Sequence, residues 1–447
     1  MEGVVTPRTK EEVLEAAERY NVKFIRMWFV DLLGLPKNFA IPVEELETAL
    51  DYGLGFDGSS IAGYQGVQES DMVAKPIPST FRILPWRPRE QAVARMFCET
   101  YYPDGRRYEC DPRYILERNL QYAKEKFDLE MFVGPELEFF VFKSNERPEL
   151  LDRGSYFDFT TLDHGVDVRR HMILAMEQMG IRAEYSHHEV GPSQHEIDMR
   201  YTDALTMADN VITYRVAAKE IAQQFGYYAT FMPKPLFGEN GSGMHTHISL
   251  HRRGENVFAD PDDPYNLSDI AKKFIAGLLK HVRELCLLYA QWVNSYKRLV
   301  PGYEAPVYIS WARANRSALV RVPVVRPERL KSVRAEFRAP DPACNPYLAF
   351  AAMLRSGLKG VEEGYELPDP VERDIYHMPE EERKALGIEA LPETLGEAIR
   401  LFEQSELARE ILGDAAFEHL LDLKRKEWDE FKSWVTEWEI HRYYHIL

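Results

Sequence analysis

The stretch MFVGPELEFFVF, residues 131–142, sets two charges in an otherwise apolar run. Its length and composition predict a strand, and residues i and i+2 of a strand point to one face, so Glu136 and Glu138 project together. Adjacent carboxylates repel each other and are costly in an apolar setting. A solvated face is the plainest alternative, but Phe140 and Phe142 continue the same face. The pair therefore calls for compensation by an arginine, a shared proton or a cation.

Histidines and acids recur in HHEVGPSQHEIDMR, residues 187–200. The Gly191-Pro192 turn divides this segment and predicts two strand ends joined by a loop, with the polar side chains directed at one place. Any one of them has a simpler reading as a surface residue, but the group as a whole does not. Its members are His187, His188, Glu189, His195, Glu196 and Asp198.

A glycine-rich loop precedes another strand pattern in KPLFGENGSGMHTHISL, residues 234–250. Its glycines allow close backbone approach to a ligand, and His245, His247 and Ser249 then alternate on one strand face. This combination suits a phosphate-bearing ligand. The segment matches neither of the two common nucleotide-binding glycine motifs.

Basic residues cluster in residues 321–350, where six of them surround Glu336. Elsewhere acids predominate, because 55 Lys and Arg stand against 72 Asp and Glu, a net charge of −17. Together with Arg298, Arg313 and Arg316 upstream, the cluster forms a candidate anion cradle, since arginine makes forked contacts with carboxylate and phosphate. A salt-bridged surface is the alternative. The net charge itself argues against general nucleic-acid binding.

Glutamates with a few histidines and no cysteine favour hard divalent cations, Mg²⁺ or Mn²⁺. The four cysteines are scattered and form neither a zinc pattern nor a disulfide framework. Paired metals beside arginines are typical of phosphoryl transfer. The residues alone thus indicate a metal-dependent enzyme acting on a phosphate, with the acceptor left open.

A chain of 447 residues is too long for one core, so we expect two domains, 1–107 and 108–447. The Pro103-Asp104-Gly105 turn and a helix capped by Asp111 mark the boundary. We find no apolar run long enough to span a membrane and no signal core, so we expect a cytoplasmic protein with no membrane partner.

The C-terminal part reads as helical. Thr394 and Glu397 have the spacing of a capping box, and Trp428, Phe431, Val435 and Trp438 share the periodicity of one helical face. The aromatic end, EWEIHRYYHIL, predicts either a helix docked on its own subunit or insertion into a neighbouring one.

Five motifs together resemble glutamine synthetase, of the shorter type I subtype found in bacteria and archaea. Besides the segments 187–200 and 234–250, they are FDGSSIAGYQGVQESDM at 56–72, GPELEFF at 134–140 and RAEFRAPDPACNPYL at 334–348. Their order and spacing agree with the family over essentially the whole chain. The resemblance implies ATP-dependent ligation of ammonia to L-glutamate through γ-glutamyl phosphate.

The resemblance also divides the acids between two ions, Mg²⁺ or Mn²⁺, with ATP as co-substrate. It implies that Glu138, Glu189 and Glu196 hold the ion beside glutamate. It implies that Glu136, His245 and Glu336 hold the ion on the ATP phosphates.

The resemblance implies roles for the remaining site residues as well. Glu304 would close the site over the intermediate and help deprotonate the ammonium adduct, while Asp57 would bind ammonium in a neighbouring subunit's site. Arg316 and Arg338 would stabilise the transferred phosphoryl group. Glutamate would be bound by Asn240, Gly241 and Arg298, and nucleotide by His247, Ser249, Arg321, Lys331 and Arg334.

The architecture implied is α+β: an N-terminal β-grasp-like domain and a larger catalytic domain with a curved antiparallel sheet flanked by helices. The oligomer implied is a homododecamer of two hexameric rings with active sites between subunits. This favours insertion of the aromatic tail into the opposite ring.

Regulation is where the sequence departs from the family. Tyr376 matches the tyrosine that is adenylylated in longer members, but its neighbours differ, and Gly66 stands where we expect a feedback-relaying arginine. Some archaeal members are activated by 2-oxoglutarate, for which Phe24, Arg26 and Arg87 are candidate residues; nitrogen-sensing regulatory proteins are further candidate partners.

Two alternatives remain at this point: a glutamate–amine ligase of the γ-glutamylpolyamine type, and a non-catalytic structural homologue. Retention of Asp57 and Glu304 argues for ammonia as the acceptor. Retention of all six metal-ligand positions argues for catalysis.

Overall fold

The computed structural model describes residues 6–64 and 70–447, which contain two separate β-sheets. Within the described residues, the N-terminal part has a six-stranded sheet and two α-helices. Its elements are α1 (Lys10–Arg19), β1 (Val22–Val30), β2 (Pro36–Pro42), α2 (Leu46–Tyr52), β3 (Leu54–Phe56), β4 (Met72–Pro76), β5 (Arg82–Ile83) and β6 (Ala92–Tyr101).

The strand order of this sheet is β2-β1-β6-β4-β3, with β5 also on β6. The central strands β1 and β6 run parallel, and the other pairs are antiparallel. Thr9 caps α1, whose Val13 packs into a core with Ile25, Leu46 and Ala94. This is the predicted β-grasp arrangement.

The larger part combines a ten-stranded sheet with the remaining helices. Its elements are α3 (Pro112–Phe127), β7 (Glu130–Phe142), α4 (Val166–Gln178), β8 (Ala183–His188), β9 (Gln194–Met199), β10 (Thr202–Asp203), α5 (Ala204–Gln224), β11 (Tyr228–Thr230), β12 (Met244–Arg252), β13 (Glu255–Asn256), α6 (Asp269–Tyr289), α7 (Ser295–Arg298), β14 (Tyr308–Ala312), β15 (Ala318–Arg321), β16 (Ala335–Phe337), α8 (Pro346–Glu363), α9 (Glu380–Ala385), α10 (Leu395–Glu403), α11 (Glu406–Leu412), α12 (Asp414–Ser433) and α13 (Glu437–Tyr443).

The strand order of the large sheet is β14-β15-β16-β12-β7-β9-β8, with β10 and β11 on β7 and β13 on β12. Its pairs are antiparallel except β14 with β15, as predicted for the curved catalytic sheet. The long strand β7 lies at the centre, so its side chains are flanked by β12 on one side and β9 on the other.

The two faces of β7 have different neighbours, because side chains alternate along a strand. Leu137 and Phe139 point to the helical side, where Phe139 makes an edge contact with Tyr214 of α5 at 6.1 Å between ring centroids. Glu136 and Glu138 therefore point to the opposite face, as predicted.

A tight helix pair supports the sheet. Helices α6 and α8 approach so closely at Gly277 that a Cβ there would lie 2.1 Å from the carbonyl oxygen of Ser356. Any side chain larger than hydrogen at this position would force the two helices apart.

Two C-terminal predictions need correction. Thr394 accepts from the Glu397 N–H as predicted, but the Glu397 carboxylate accepts from Glu393, so the reciprocal bond of a capping box is missing there. A complete box forms instead between Thr436 and Glu439. This second box starts α13, so the apolar face that begins with Trp428 is split between two helices rather than continuous.

None of the helices formed by residues 6–64 and 70–447 combines the length and the apolar character that crossing a bilayer requires.

Candidate active site

One group of candidate metal ligands lies where β7, β12 and β16 run side by side. The strand register places His245 opposite Glu136, and β16 supplies Glu336 from the other side of β12. One ligand atom from each of the three lies within 4.8 Å of the other two. The Nδ1 atom of His245 is 3.7 Å from Glu136 Oε2 and 3.8 Å from Glu336 Oε1. These three side chains can converge on one cation.

A second group lies one strand further along, around β8 and β9. His187, Glu189 and Glu196 place ligand atoms within 4.8 Å of one another, and His187 Nε2 is 2.9 Å from Glu189 Oε1. Glu138 of β7 is opposite Glu196 in the register and lines the same cavity. The trio whose ligand atoms lie within 4.8 Å of one another thus contains His187, whereas the family resemblance assigns Glu138.

Burial, together with mutual repulsion, raises the pKa values of these acids. Burial, with the charge of Glu189, raises the pKa of Glu138 well above its usual range. Burial, with the charges of Asp198 and Glu138, does the same to the pKa of Glu196. Burial and Glu136 raise the pKa of Asp198 to about 6. Without a compensating positive charge these carboxyl groups resist ionisation, and a bound cation would supply that charge.

The first group is electrostatically different, because cationic and polar donors surround it. Burial opposes ionisation of Glu136, but the imidazoles of His247 and His245 outweigh it and hold the pKa of that carboxyl well below its usual range. The same imidazoles, with Arg338 and Arg321, lower the pKa of Glu336 despite its burial.

The protonation of His247 follows from its contacts. Arg334 Nε can only donate, and it lies 3.0 Å from His247 Nδ1, so that nitrogen accepts. Nε2 therefore carries a proton, which it donates to Glu136 Oε1 at 2.6 Å. His247 therefore orients Glu136, and His245 is the imidazole that can bind a cation in this group.

The residues fit a hard divalent cation. Carboxylates and imidazole without thiolate are suitable ligands for Mg²⁺ or Mn²⁺. Among the described residues, the buried atoms His187 Nδ1 and Asp198 Oδ1 have no hydrogen-bond partner. Unpartnered polar atoms beside carboxylates with raised pKa values are suited to binding a cation.

Arginines surround the Glu336 side of the cavity. Arg321 Nε donates to Glu336 Oε2 at 2.5 Å, and Arg338 Nε lies 3.5 Å from Oε1. Arg298 donates to the carbonyl oxygens of Ala339 and Arg338, at 2.9 and 3.0 Å. Arg338 in turn donates to the carbonyl of Arg316. The backbone thus fixes these guanidinium groups at the cavity wall.

Glu304 lies on an exposed loop at the cavity rim in a left-handed conformation, with φ of 57°. Its Oε2 accepts from Asn240 Nδ2 at 3.2 Å. The next carbonyl, that of Ala305, accepts from the hydroxyl of Tyr376. Burial raises the pKa of Tyr376 to about 12, so its hydroxyl remains a donor. Two contacts from distant segments therefore hold the loop that carries Glu304.

Both groups open into one cavity of about 400 Å³, large enough for a small substrate. Thirteen of the residues predicted for the site line it. They are Glu136, Glu138, Glu189, Glu196, Asn240, Gly241, His245, Arg298, Glu304, Arg316, Arg321, Glu336 and Arg338.

Other predicted site residues lie outside this lining. His247 and Arg334 stand directly behind Glu136. Ser249 is further along β12, within 3.1 Å of His251, and Lys331 is exposed on the Pro327–Ser332 turn. Asp57 is not brought to the cavity of its own chain: it is exposed, and its Oδ1 accepts from the N–H and hydroxyl of Ser59.

The candidate effector residues are grouped loosely on the N-terminal domain. Arg26 lines a small separate cavity of about 110 Å³, and Arg87 pairs with Glu220, which lines it too. Phe24 is half exposed on the same strand as Arg26. Gly66 lies outside the described residues.

Several cavity residues have no role that the sequence predicts. Gln194 donates to Glu138, to Ser242 and to the Gly241 carbonyl, so it ties three parts of the wall together. Tyr156 and Tyr303 reach the cavity from loops, where no periodic pattern gives a signal.

Comparison with known proteins places the chain in one family along its whole length. Residues 21–103 match the glutamine synthetase beta-Grasp domain, and residues 109–443 match the glutamine synthetase catalytic domain. A glutamine synthetase of Methanosarcina mazei is 53% identical over 443 residues, 98% of each chain. One of Methanocaldococcus jannaschii is 49% identical over 445 residues, 97% of each chain.

Solved structures agree with these matches. The structure described as GmaS/ADP complex superposes with a TM-score of 0.88 at 30% identity, covering 97% of this chain and 99% of that one. The cryoEM structure of the Plasmodium falciparum glutamine synthetase has a TM-score of 0.88 at 24% identity, covering 99% of this chain and 100% of that one, and supports the fold. The chain belongs to the glutamine synthetase family of ATP-dependent ligases.

Proposed function

We propose that this enzyme joins ammonia to L-glutamate at the expense of ATP, through γ-glutamyl phosphate, and releases glutamine, ADP and phosphate. The observation that carries the proposal is the pair of ligand groups on one sheet face, in a cavity that four arginines also line. Cations beside guanidinium groups stabilise the charge of a transferred phosphoryl group.

The proposed metal ligands follow the family assignment. Glu138, Glu189 and Glu196 would hold the cation beside glutamate, with His187 close enough to join them. Glu136, His245 and Glu336 would hold the cation on the ATP phosphates. Two divalent ions, Mg²⁺ or Mn²⁺, would supply charge neutralisation for the phosphates and the substrate carboxylate.

Glutamate and the transferred group take the arginine side of the cavity in this proposal. Arg298 would pair with the substrate carboxylate, while Asn240 and Gly241 would bind near its amino group. Arg316 and Arg338 would face the phosphoryl group in transit. The residues proposed for nucleotide are His247, Ser249, Arg321, Lys331 and Arg334.

Glu304 would take the proton from the ammonium adduct and close the cavity over the acyl phosphate. Its rim position and its bond to Asn240 support both roles. Excluding water matters because an acyl phosphate hydrolyses readily. Asp57 would act in the site of a neighbouring subunit, which its exposure permits.

The nitrogen substrate that the enzyme accepts distinguishes ammonia ligation from amine ligation. Purified protein with ATP, Mg²⁺ and glutamate should release phosphate in step with glutamine when ammonium is added, and far more slowly with methylamine or putrescine. Glu304→Ala should lower glutamine formation by about 10²-fold or more, the usual scale for losing a general base. Glu146→Ala, which removes an exposed acid on the loop after β7 and outside the cavity lining, is the control. Faster turnover with an amine than with ammonium would refute the acceptor assignment.

The metal assignment has its own test. Glu136→Ala and Glu138→Ala should each weaken a different class of Mn²⁺ site in a calorimetric titration. If both variants lose the same class of site, the division of β7 between two ions is wrong.

The assembly we propose is a homododecamer of two hexameric rings. The C-terminal aromatic side chains support an intersubunit role, because Trp434, Trp438 and Tyr444 are 66, 62 and 82% exposed in the single chain. Sedimentation of the full chain should give the dodecamer, and removal of residues 437–447 should give smaller species. An unchanged sedimentation coefficient after the deletion would contradict the role of the tail.

We further propose a domain boundary at residues 107 and 108 and a cytoplasmic location. The boundary falls between the two sheets. The location is supported by the four cysteines, which are buried free thiols, as a reducing compartment favours.

Regulation by 2-oxoglutarate at Phe24, Arg26 and Arg87 is also a proposal, as is control by nitrogen-sensing proteins. The arginines beside a small cavity suit an anion. Activity measured at fixed glutamate should rise as 2-oxoglutarate is added, and a flat rate would contradict an effector site there.

A further inference from the structure

A second cavity, of about 580 Å³, lies on the opposite side of the wall that carries the candidate glutamate-binding residues. Its lining is mostly apolar and includes Leu35, Phe231, Met232, Trp292 and Phe431. It falls in the size range of small-molecule sites, which are apolar clefts with a few placed polar groups. Its position at the junction of β11, α5, α7 and α12 makes it distinct from the active-site cavity.

The polar groups of this cavity are largely cationic. Arg215, Lys219 and Lys297 line it, and within the described part of the chain none of them forms an ion pair with a carboxylate. The acid in the lining, Glu427, is already engaged, since it accepts from Lys424 Nζ at 2.7 Å and from the Val293 N–H at 3.1 Å. The cavity therefore carries excess positive charge against apolar walls.

Arg215 is the most informative of these residues. It is only 8% exposed, and one of its terminal nitrogens donates to the carbonyl of Cys344 at 2.7 Å. Its Nε is buried and has no partner among the described residues. A buried guanidinium that pairs with no carboxylate is costly, and an anion in the cavity would reduce that cost. Lys219 lies one turn along α5, on the same helical face, and is exposed to solvent.

The second cavity shares its wall with the active site. Lys297 lines the second cavity, whereas its neighbour Arg298 lines the active site. Asn294, in the lining of the second cavity, bonds to both backbone groups of Lys234: its Oδ1 accepts from the N–H at 2.7 Å and its Nδ2 donates to the carbonyl at 3.0 Å. Lys234 begins the segment that leads to Asn240.

A backbone hydrogen bond ties the far end of that segment to the same wall. The carbonyl of Pro233, in the lining of the second cavity, accepts from the N–H of Ser242 at 2.7 Å. Gly241 is held against this carbonyl, because a Cβ at Gly241 would lie 2.6 Å from the Pro233 oxygen. A ligand that shifts Pro233 or Asn294 would therefore move the backbone proposed to bind glutamate.

We propose that this second cavity binds an organic monocarboxylate with an aromatic or branched aliphatic body, and that its occupancy changes the affinity for glutamate. The carboxylate would pair with Arg215 and Lys219, and the apolar body would pack against Trp292 and Phe431. The binding part of the proposal stands alone, whereas the effect on glutamate rests on the proposed function.

Calorimetric titration of the full chain with 4-phenylbutyrate tests the binding directly. The probe should give saturable heat, and its neutral analogue 4-phenylbutanol should bind at least about 10-fold more weakly, the scale of one charge-assisted hydrogen bond. Lys219→Glu should weaken binding of the acid by a similar factor. Lys23→Glu, which changes an exposed lysine of β1 outside the cavity lining, should leave binding of the acid unchanged.

Three results would overturn the proposal: no saturable heat with the acid, equal binding of acid and alcohol, or equal binding of the acid to wild type and Lys219→Glu. For the coupling, saturating 4-phenylbutyrate should shift the KM for glutamate by at least about twofold, and an unchanged KM would refute it. If the protein binds the acid but forms no glutamine, the proposed function fails while the binding site stands.

Discussion

Replacing Glu196 by glutamine should stabilise the metal-free protein and weaken its response to metal. Glu196 is 5% exposed and has an oxygen within 4.8 Å of a ligand oxygen of Glu189. Two unit charges at that distance repel by about 3 kcal/mol at an effective dielectric constant of about 20. Partial protonation of Glu196 relieves some of this, so we expect Glu196→Gln to add about 1–3 kcal/mol of stability in EDTA.

The effect should grow with pH. The folded-state pKa of Glu196 is raised, so ionising it costs stability once the pH exceeds the unfolded-state value near 4.5. The penalty increases as the pH rises toward the folded pKa and levels off above it. Glutamine does not titrate, so the advantage of the variant should be absent at low pH and greatest at high pH.

Thermal unfolding in EDTA and in saturating Mn²⁺ measures both consequences. Ligand at about 100 times its Kd stabilises a protein by about 2.7 kcal/mol, and Glu196→Gln should lose much of that gain. Glu177→Gln, which removes an exposed charge on α4, is the matched control. A variant that unfolds in EDTA at or below the wild-type temperature, or that keeps the full metal response, would refute the reasoning.

Two further predictions concern contacts outside the two groups of candidate metal ligands. Tyr376→Phe removes the hydroxyl that holds the Ala305 carbonyl, so more of the intermediate should be lost to water and more ADP should form per glutamine. The control is Tyr308→Phe, whose ring centroid lies 6.4 Å from that of Tyr376, and it should keep the wild-type ratio. Asp152→Asn breaks a buried pair with His188 and should cost about 3–5 kcal/mol in denaturant unfolding at neutral pH. The pKa of Asp152 is held below its usual range, chiefly by its bonds to His188 and Ser193. The difference in unfolding free energy between wild type and variant should therefore disappear as the pH falls through the acid range. A difference that stays constant with pH would contradict the assignment.

The central strand was predictable because its rule is local. Alternation along β7 requires only neighbouring residues, and it placed Glu136 and Glu138 on one face without knowledge of the rest of the chain. The β8–β9 pair was equally accessible, since a Gly-Pro turn separates its two strands. The division of these acids between two ions came from the family resemblance, because strand geometry cannot say which cation each acid binds.

Contacts between distant segments could not be predicted in this way. The bond from Tyr376 to the Ala305 carbonyl joins two loops with no shared periodicity. The second cavity is assembled from helices and loops scattered from Leu35 to Phe431, so no segment of sequence signals it. The split of the C-terminal helix was missed for a different reason, since apolar spacing continued across Trp434 while its backbone became extended.

The pleat of β7 has an evolutionary consequence. Residues i and i+2 of a strand are about 7 Å apart whatever the side chains around them, so the offset between the two ligand groups is set by the backbone of the central strand of the sheet. Loops at the rim, such as the one carrying Glu304, can diverge without altering that offset. The acceptor that attacks the acyl phosphate can therefore change during evolution while the distance between the two ligand groups stays the same. We expect new acceptor specificities to arise from changes in loops far more often than from changes in β7.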